Sequence, residues 1–241
     1  YTPIVLVISM VPPKPILAWM SDMMTGKATQ KTLVISVLDL TLKPVRALQA
    51  LNCSLTRIDF PHGDGADRDP TFLTLTCSPE VTKAVPPLTA PNAPTTHNAQ
   101  SATTYLPSNF LLQIDGLDTS KVNKIETLTV VSRVKAGLGE ARGVAEETDS
   151  LVIPNVVITL HETISAGWKT WLEDFLVKGS NGDDKEKNGT LKYLSVNLST
   201  TLLALRFKNL GILSLVKDVP RSNSEAIPRF KAELYCERIE I

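Results

Sequence analysis

Cysteine and histidine are scarce in this chain of 241 residues, with only three of each. No two cysteines form a Cys-x-x-Cys pair, and no histidine lies at metal-ligand spacing from another histidine or a cysteine. An odd and sparse set of cysteines argues against a disulfide scaffold and against a zinc site. We therefore expect Cys53, Cys77 and Cys236 to be buried free thiols, and we expect neither a metal nor a cofactor.

An excess of charge of one sign and long apolar runs are also absent. Lys plus Arg and Asp plus Glu are balanced at 25 each, so no global field would attract nucleic acid or an anionic membrane. No apolar run approaches the roughly 18 residues of a membrane span, which predicts no membrane insertion. Hydrophobic residues make up 43% of the chain and aromatic residues only 5%, which predicts packed aliphatic cores. The length leaves room for two domains of ordinary size.

Motifs that would identify an enzyme are missing as well. The sequence contains no Gly-x-Ser-x-Gly nucleophile motif. Gly137 and Gly139 form a Gly-x-Gly but lack the lysine of a phosphate-binding loop, and the acidic stretch 62–69 fails the spacing of a calcium loop. Both segments are interpreted as loops between strands, and the sequence predicts a protein that is not an enzyme.

A degraded tandem repeat is the most informative feature that is present. Five segments of the first half recur in the same order at an offset of about 150–160 residues, which predicts one domain fold used twice. The matched segments are Pro3–Val7 with Pro154–Ile158, Ala18–Met24 with Thr170–Leu176, Lys31–Leu40 with Gly189–Leu198, Leu51–Asp59 with Leu210–Asp218, and Pro70–Cys77 with Pro228–Tyr235.

The two copies are of unequal length. Residues 1–80 form the first, 81–108 read as a linker rich in Pro, Thr and Ala, and 109–241 form the second. Only the second copy has a strand hairpin, predicted over 110–135, before the shared pattern of strand, helix and further strands. Without that hairpin the first copy would keep an open sheet edge, so the missing strands either precede Tyr1 or come from a partner. Aromatic residues at helical or alternating spacing are expected in the core: Trp19, Trp168, Trp171, Phe175 and Phe230.

The last strands of the two copies differ in charge when Pro70–Cys77 is aligned with Pro228–Tyr235. This alignment places Lys231 and Glu233 opposite Leu73 and Leu75. It predicts that a face which is charged in the second copy is apolar in the first, and hence that the copies have unequal neighbours.

The second copy resembles the tube proteins of contractile phage tails and related contractile injection systems. The resemblance is carried by an ordered set of segments: FLLQIDGL at 110–117, IPNVVITLHETISAGWKTWLEDF at 153–175, LRFKNLGILSL at 205–215 and IPRFKAELYCERIEI at 227–241. It implies a mostly-β fold, a β-barrel or sandwich-like domain with one flanking helix. In that family such domains form hexameric rings that stack into a hollow tube inside a sheath, with strands of neighbouring subunits joined around the lumen.

For this chain, the resemblance implies a non-enzymatic structural protein that assembles with itself. Two tube-like domains per chain would let three chains form a ring of pseudo-sixfold symmetry. Sheath or baseplate proteins would be its partners, and DNA or a protein effector would be the cargo in the lumen. The chain would belong to a virion tail or an injection-system particle assembled in the bacterial cytoplasm, with or without release from the cell.

Contacts between rings, or with a sheath, are expected from the loops 136–150 and 180–189. The residues predicted for interfaces are Gly137, Gly139, Arg142, Asp183, Asp184, Lys185, Lys231 and Glu233. Two alternatives remain open: a baseplate hub or tube-initiator protein that forms a trimer, and a β-rich binding module with an exposed aromatic platform.

Overall fold

The computed structural model describes residues 2–41, 43–87, 104–134, 148–218 and 228–241. Strands make up 55% of it and helices 15%, which confirms the predicted mostly-β fold. The strands form two seven-stranded antiparallel sheets, and the second of these closes almost completely into a barrel.

The first half contributes six strands and one helix to this architecture. Helix α1 carries Pro15 in its first turn, where a missing N–H costs nothing, and it ends before Gly26, which has a positive φ. In chain order the elements are β1 (Ile4–Ile8), α1 (Lys14–Met24), β2 (Gln30–Leu38), β3 (Pro44–Phe60), β4 (Gly63–Asp64), β5 (Leu73–Ser78) and β6 (Val81–Val85).

The described part of the second half contributes eight strands and one α-helix, besides two short 3-10 helices. Its helix continues into a π-helical turn over Glu173–Val177. In chain order the elements are β7 (Phe110–Ile114), β8 (Val122–Ile125), β9 (Leu128–Val134), β10 (Thr148–Val152), β11 (Val156–His161), α2 (Ser165–Leu172), β12 (Lys187–Leu194), β13 (Thr201–Asp218) and β14 (Arg229–Glu240).

Sheet topology confirms the tandem repeat. In the first half the strands pair antiparallel in the order β1-β5-β3-β2, and in the second half β11-β14-β13-β12 pair in the same order. In both halves a single helix follows the first of these strands along the chain. The two copies therefore share one fold, each with one flanking helix.

Local irregularities of the long strands recur at equivalent places. Asn52 in β3 and Asn209 in β13 both have a positive φ, of 50° and 56°. The side-chain amide of each donates to a glutamate 28 residues further on, Glu80 or Glu237. Asparagine tolerates this left-handed conformation better than most residues, so the repeat preserves a backbone feature as well as a hydrophobic pattern.

The register of the last strands corrects the predicted alignment by one residue. Leu73 pairs with a residue at the end of β1, and Phe230 pairs with a residue at the equivalent position of β11. The side chains of Leu73 and Phe230 are both buried. Lys231 is therefore the equivalent of Thr74, not of Leu73, and Glu233 is not the equivalent of Leu75. A slip of one residue exchanges the two faces of a strand, so the predicted contrast between a charged and an apolar face is wrong.

The two edges of the second sheet meet at β4 and β7. The backbone N–H of Asp64 donates to the carbonyl of Pro107 at 2.9 Å. Gly63 lies against the ring of Phe110, where a Cβ would come within 2.6 Å of the ring carbons. Only glycine permits this approach, so a residue of the first half closes the barrel of the second.

Buried side chains from both halves form one continuous hydrophobic cluster. Within this cluster Tyr105 packs edge-on against Tyr193, with ring centroids 5.2 Å apart, and the Tyr193 hydroxyl donates to the carbonyl of Pro61. The three cysteines are buried free thiols, as predicted. The aromatic residues predicted for the core are all buried: Trp19, Trp168, Trp171, Phe175 and Phe230.

Both ends of the range predicted as a linker, 81–108, are structured. Strand β6 pairs with β3, and the buried Tyr105 forms an isolated bridge with Thr71. Local composition did not predict these structured ends, because the residues with which they pair lie in other parts of the chain. Residues 88–103 lie outside the described residues, and the division into two tube-like domains remains a prediction.

Candidate assembly interface

Strand β9 joins the two repeats. The segment 110–135, predicted as a hairpin, contains a break at Glu126 and Thr127 between β8 and β9. Strand β8 remains in the second sheet beside β11, whereas β9 pairs with β3 of the first repeat. A strand that follows the predicted linker thus belongs to the sheet of the preceding repeat.

The contact between β9 and β3 is well packed. Four pairs define the register, from Arg57 opposite Val131 to Phe60 opposite Leu128. Leu128 and Val130 are buried, as are Ile58 and Phe60. Burial of large apolar side chains from both strands makes this contact part of the core rather than a surface contact.

A polar contact on the other face fixes the same register. The Thr129 hydroxyl donates to the Asp59 carboxylate at 2.6 Å, and the Arg57 guanidinium lies 2.7 Å from it. Burial alone would raise the pKa of Asp59, but hydrogen bonds from Arg57 and Thr129 and the charge of Arg57 hold that pKa below its usual value. The carboxylate is therefore ionised and bonded at the contact between the repeats.

The first repeat also contributes a strand, β4, to the sheet of the second repeat. Gly63 pairs with Ile125, and Asp64 pairs with Lys124, whose ammonium lies 3.7 Å from the Asp64 carboxylate. Each repeat therefore adds a strand to the sheet of the other. Such a reciprocal contact fixes how one copy follows the next.

The second repeat has an equivalent edge on β13 that no strand of the described residues occupies. Through the asparagine pair and the strand registers, Ser214–Lys217 of β13 are equivalent to Arg57–Phe60 of β3. Within the described ranges this part of β13 pairs only with β14. Val216, in this part of β13, is 61% exposed. Over the described residues, this edge of β13 is therefore unpaired at the position where β9 pairs with β3.

The first repeat has open edges at the opposite end. Strand β12 also pairs with β7, and β11 also pairs with β8. Over the residues that the structure describes, their equivalents β2 and β1 pair only with β3 and β5. Among the described residues, no strand takes the places of β7 and β8 in the first repeat. The hairpin predicted over 110–135 is wrong in its pairing, because β7 pairs with β12 whereas β8 pairs with β11 and β4.

The residues predicted for interfaces fall into three groups. Gly137, Gly139 and Arg142 lie outside the described residues. Asp183, Asp184 and Lys185 form a short, exposed 3-10 helix.

Within that helix, Lys185 pairs with Asp184, and their hydrogen bond lowers the pKa of the Asp184 carboxyl. The same stretch of chain lines a cleft with Trp171 and Phe175. The position suits contact with a neighbour, although the ion pair is exposed and contributes little by itself.

The third group lies on β14 and contacts the junction of the repeats. The Lys231 ammonium lies 2.8 Å from Glu126, at the break between β8 and β9, and Asn155 donates to Glu233. These two residues support the strand exchange from within the chain. Sequence reasoning missed the exchange itself, although the polar pair Glu126-Thr127 inside an apolar run was a usable signal.

Chemistry of other kinds has little support in the described part of the chain. No group of three or more His, Cys, Asp or Glu side chains there could hold a metal ion. None of the helices described is long and apolar enough to cross a membrane.

Comparisons with known proteins give similar structures but no similar sequences. No model of a protein family and no curated protein matches the chain. Among solved structures, it is similar to a component of the baseplate of the anti-feeding prophage, with 10% identity over 54% of this chain and 89% of the other and a TM-score of 0.43. It is also similar to Hcp1 of Salmonella typhimurium (16% identity, 54% and 82% covered, TM-score 0.33) and to Hcp1 of Flavobacterium johnsoniae (15%, 54% and 92%, 0.34).

Proposed function

We propose that this chain is a non-enzymatic structural subunit of a ring in a contractile phage tail or injection system. Its role is structural. Tube-type domains join side by side through added strands and enclose a lumen that conducts cargo. The proposal is supported by the sequence resemblance and by the way in which the two repeats are joined.

The strand exchange between β9 and β3 is the observation that carries the proposal. It is a head-to-tail contact, because the two repeats contribute different strands: the second gives β9 to β3, and the first gives β4 to β8. A head-to-tail contact that is repeated with a closing rotation generates a ring. The free β13 edge at one end of the chain and the open β1 and β2 edges at the other are the parts that a further contact of this kind would join.

One chain then occupies two positions of a ring, and three chains supply six. Adding strands between domains also removes sheet edges that would otherwise favour aggregation. Stacked rings, a sheath or a baseplate would contact the loops 136–150 and 180–189, where Gly137, Gly139, Arg142 and Asp183–Lys185 lie. The cargo would be DNA or a protein effector, and the particle would be assembled in the bacterial cytoplasm.

A hub or tube-initiator protein that forms a trimer is a second candidate. The unequal ends of the chain favour it, because a ring made only of identical domains needs no special edge. A β-rich binding module is less well supported, since Trp168 and Trp171 are buried and present no aromatic platform.

Counting chains per ring tests the proposal. Native mass spectrometry and electron microscopy of purified assemblies are expected to show rings of constant diameter with three times the chain mass of 26.3 kDa. Rings of six chains would contradict the pseudo-sixfold arrangement. A chain that remains monomeric under every condition would contradict the assembly itself.

A further inference from the structure

One of the three tryptophans has a buried indole N–H without a partner. Trp19 donates to the main-chain carbonyl of Thr29 at 2.7 Å. Trp168 donates in the same way to the carbonyl of Asp118 at 3.0 Å. Trp171 is only 7% exposed, and no group of the described residues accepts from its Nε1. An unpaired buried donor costs free energy, so an acceptor from elsewhere would stabilise this one.

The first repeat shows which kind of group satisfies a tryptophan at this place. Trp19 and Trp171 occupy matched positions of the repeat, each on the helix that follows the first strand. The acceptor of Trp19, Thr29, immediately precedes β2. In the second repeat the segment from the helix to β12 is longer and ends in Glu186, and no described carbonyl reaches Trp171. A main-chain carbonyl therefore bonds to this indole in one copy, and the same place is open in the other.

Trp171 lines a cleft of about 460 Å³ that also contains an unpaired acceptor, Glu186. One carboxylate oxygen of Glu186 accepts from the hydroxyl of Tyr235, whereas Oε2 is buried and has no partner among the described residues. Neighbouring polar side chains of the cleft are paired within the chain: Thr170 donates to the carbonyl of Ala166, Asp174 pairs with Lys178, and Asp184 pairs with Lys185. The cleft therefore holds one buried donor and one buried acceptor that the described residues leave unpaired.

We infer that this cleft binds a main-chain peptide group of a partner protein. The carbonyl oxygen of the peptide would accept from Trp171 Nε1, as the carbonyl of Thr29 does in the first repeat, and an N–H of the same segment would donate to Glu186 Oε2. A peptide carries both groups, whereas a carboxylate lacks the donor and an ammonium lacks the acceptor. Leu176 and Val177 end the π-helical turn that lines the cleft and are 45% and 77% exposed, so they add apolar surface for side chains of the segment.

The partner is a different protein rather than a second copy of this chain. The contact between the repeats uses β3, β4, β8 and β9, and none of these strands lines the cleft. The first repeat also fills the equivalent place with its own Thr29. A ring built by repeating this contact would therefore leave the cleft accessible. The inference does not depend on ring formation, because all the residues that line the cleft belong to the second repeat.

NMR of the indole N–H groups in the full chain, labelled at tryptophan, tests the inference with small probes. Three indole signals are expected, and Trp171→Phe identifies the signal of Trp171 by its loss. N-methylacetamide carries the peptide group. We expect it to shift the Trp171 signal in a saturable, millimolar titration, while the signals of Trp19 and Trp168 stay in place. Acetate, which has no donor, and methylammonium, which has no acceptor, should not shift the Trp171 signal.

Two matched substitutions test the acceptor. Glu186→Gln should weaken the binding of N-methylacetamide by roughly tenfold, because a hydrogen bond to a charged oxygen is lost. Glu173→Gln removes a carboxylate from the same helical segment but outside the cleft, so binding should stay unchanged. Unchanged signals of Trp19 and Trp168 in each variant show that the fold is retained.

Four results would overturn the inference. A Trp171 signal that N-methylacetamide does not move would mean that the cleft binds no peptide group. Equal shifts with acetate or methylammonium would mean that the donor and acceptor are not read together. Binding of acetamide but not of N-methylacetamide would assign the cleft to an Asn or Gln side chain instead of the main chain. A Trp171 signal that moves with protein concentration before any probe is added would identify a second copy as the occupant. None of these measurements counts chains per ring, so the ring proposal is tested separately.

Discussion

Leu128→Ala tests whether the two repeats are one cooperative unit. Leu128 lies in the second half of the chain, is fully buried, and sits opposite Phe60 of β3 in the sheet of the first repeat. Truncating a fully buried leucine leaves a cavity and lowers the free energy of unfolding by about 2–5 kcal/mol. Because the cavity opens between repeats, both should be destabilised.

Two measurements on the same variant separate this expectation from a local effect. Urea unfolding gives the loss of free energy, and hydrogen exchange shows where protection is lost. We expect loss in β3 and β5 of the first repeat as well as in β9. Leu111→Ala is the matched control: Leu111 lies outward on β7, so the same truncation should change the free energy of unfolding by no more than about 0.5 kcal/mol.

The reasoning would be refuted by either of two outcomes. One is a loss of less than about 1 kcal/mol for Leu128→Ala, which would place the residue outside a packed core. The other is a loss of protection confined to residues 109–241, which would mean that β9 does not pair with β3 in solution.

Two further substitutions test individual contacts. A Cβ at Gly211 would lie 2.1 Å from the ring of Tyr235, so Gly211→Ala should lower the free energy of unfolding, measured by thermal unfolding, by about 1–3 kcal/mol. Gly65→Ala is the control and should lower it far less, because the nearest atom to a Cβ there lies at 3.6 Å. Equal losses for the two variants would contradict the close packing at Gly211. Thr129→Val removes a hydrogen bond to the ionised Asp59 and should cost about 1–2 kcal/mol at neutral pH. The pKa of Asp59 is lowered in the folded state, so the stabilisation by its carboxylate is present above about pH 4 and is lost as the pH falls through the pKa of the folded state. The loss of free energy of unfolding caused by Thr129→Val should therefore become smaller in acid. A loss that does not depend on pH would contradict the hydrogen bond between Thr129 and Asp59.

Much of the fold could be predicted because it depends on patterns within single elements. Alternation in β14 and helical spacing around Trp171 are local, and the order of such elements revealed the repeat. The exact register was not available from these patterns. Bulges after Leu55 and after Ile212 shift the pairing, and a strand with period two looks much the same after a slip of one residue.

The candidate interface could not be predicted for a different reason. Whether β9 continues in the sheet of β8 or crosses to β3 depends on which partner buries Leu128 and Val130. That choice is set by residues far away in the sequence. One of them is Asp59, whose carboxylate accepts a hydrogen bond from Thr129, 70 residues further along the chain. The strand β6 was likewise assigned to a linker because its partner lies in β3.

The number of chains per ring tests the central claim most directly. The claim is that one chain holds two tube-type repeats joined as neighbouring ring subunits would be. Native mass spectrometry of assemblies of the chain should give three chains per ring, each of 26.3 kDa, with six similar lobes in microscopy. Six chains per ring, or a chain that forms no ring, would contradict it.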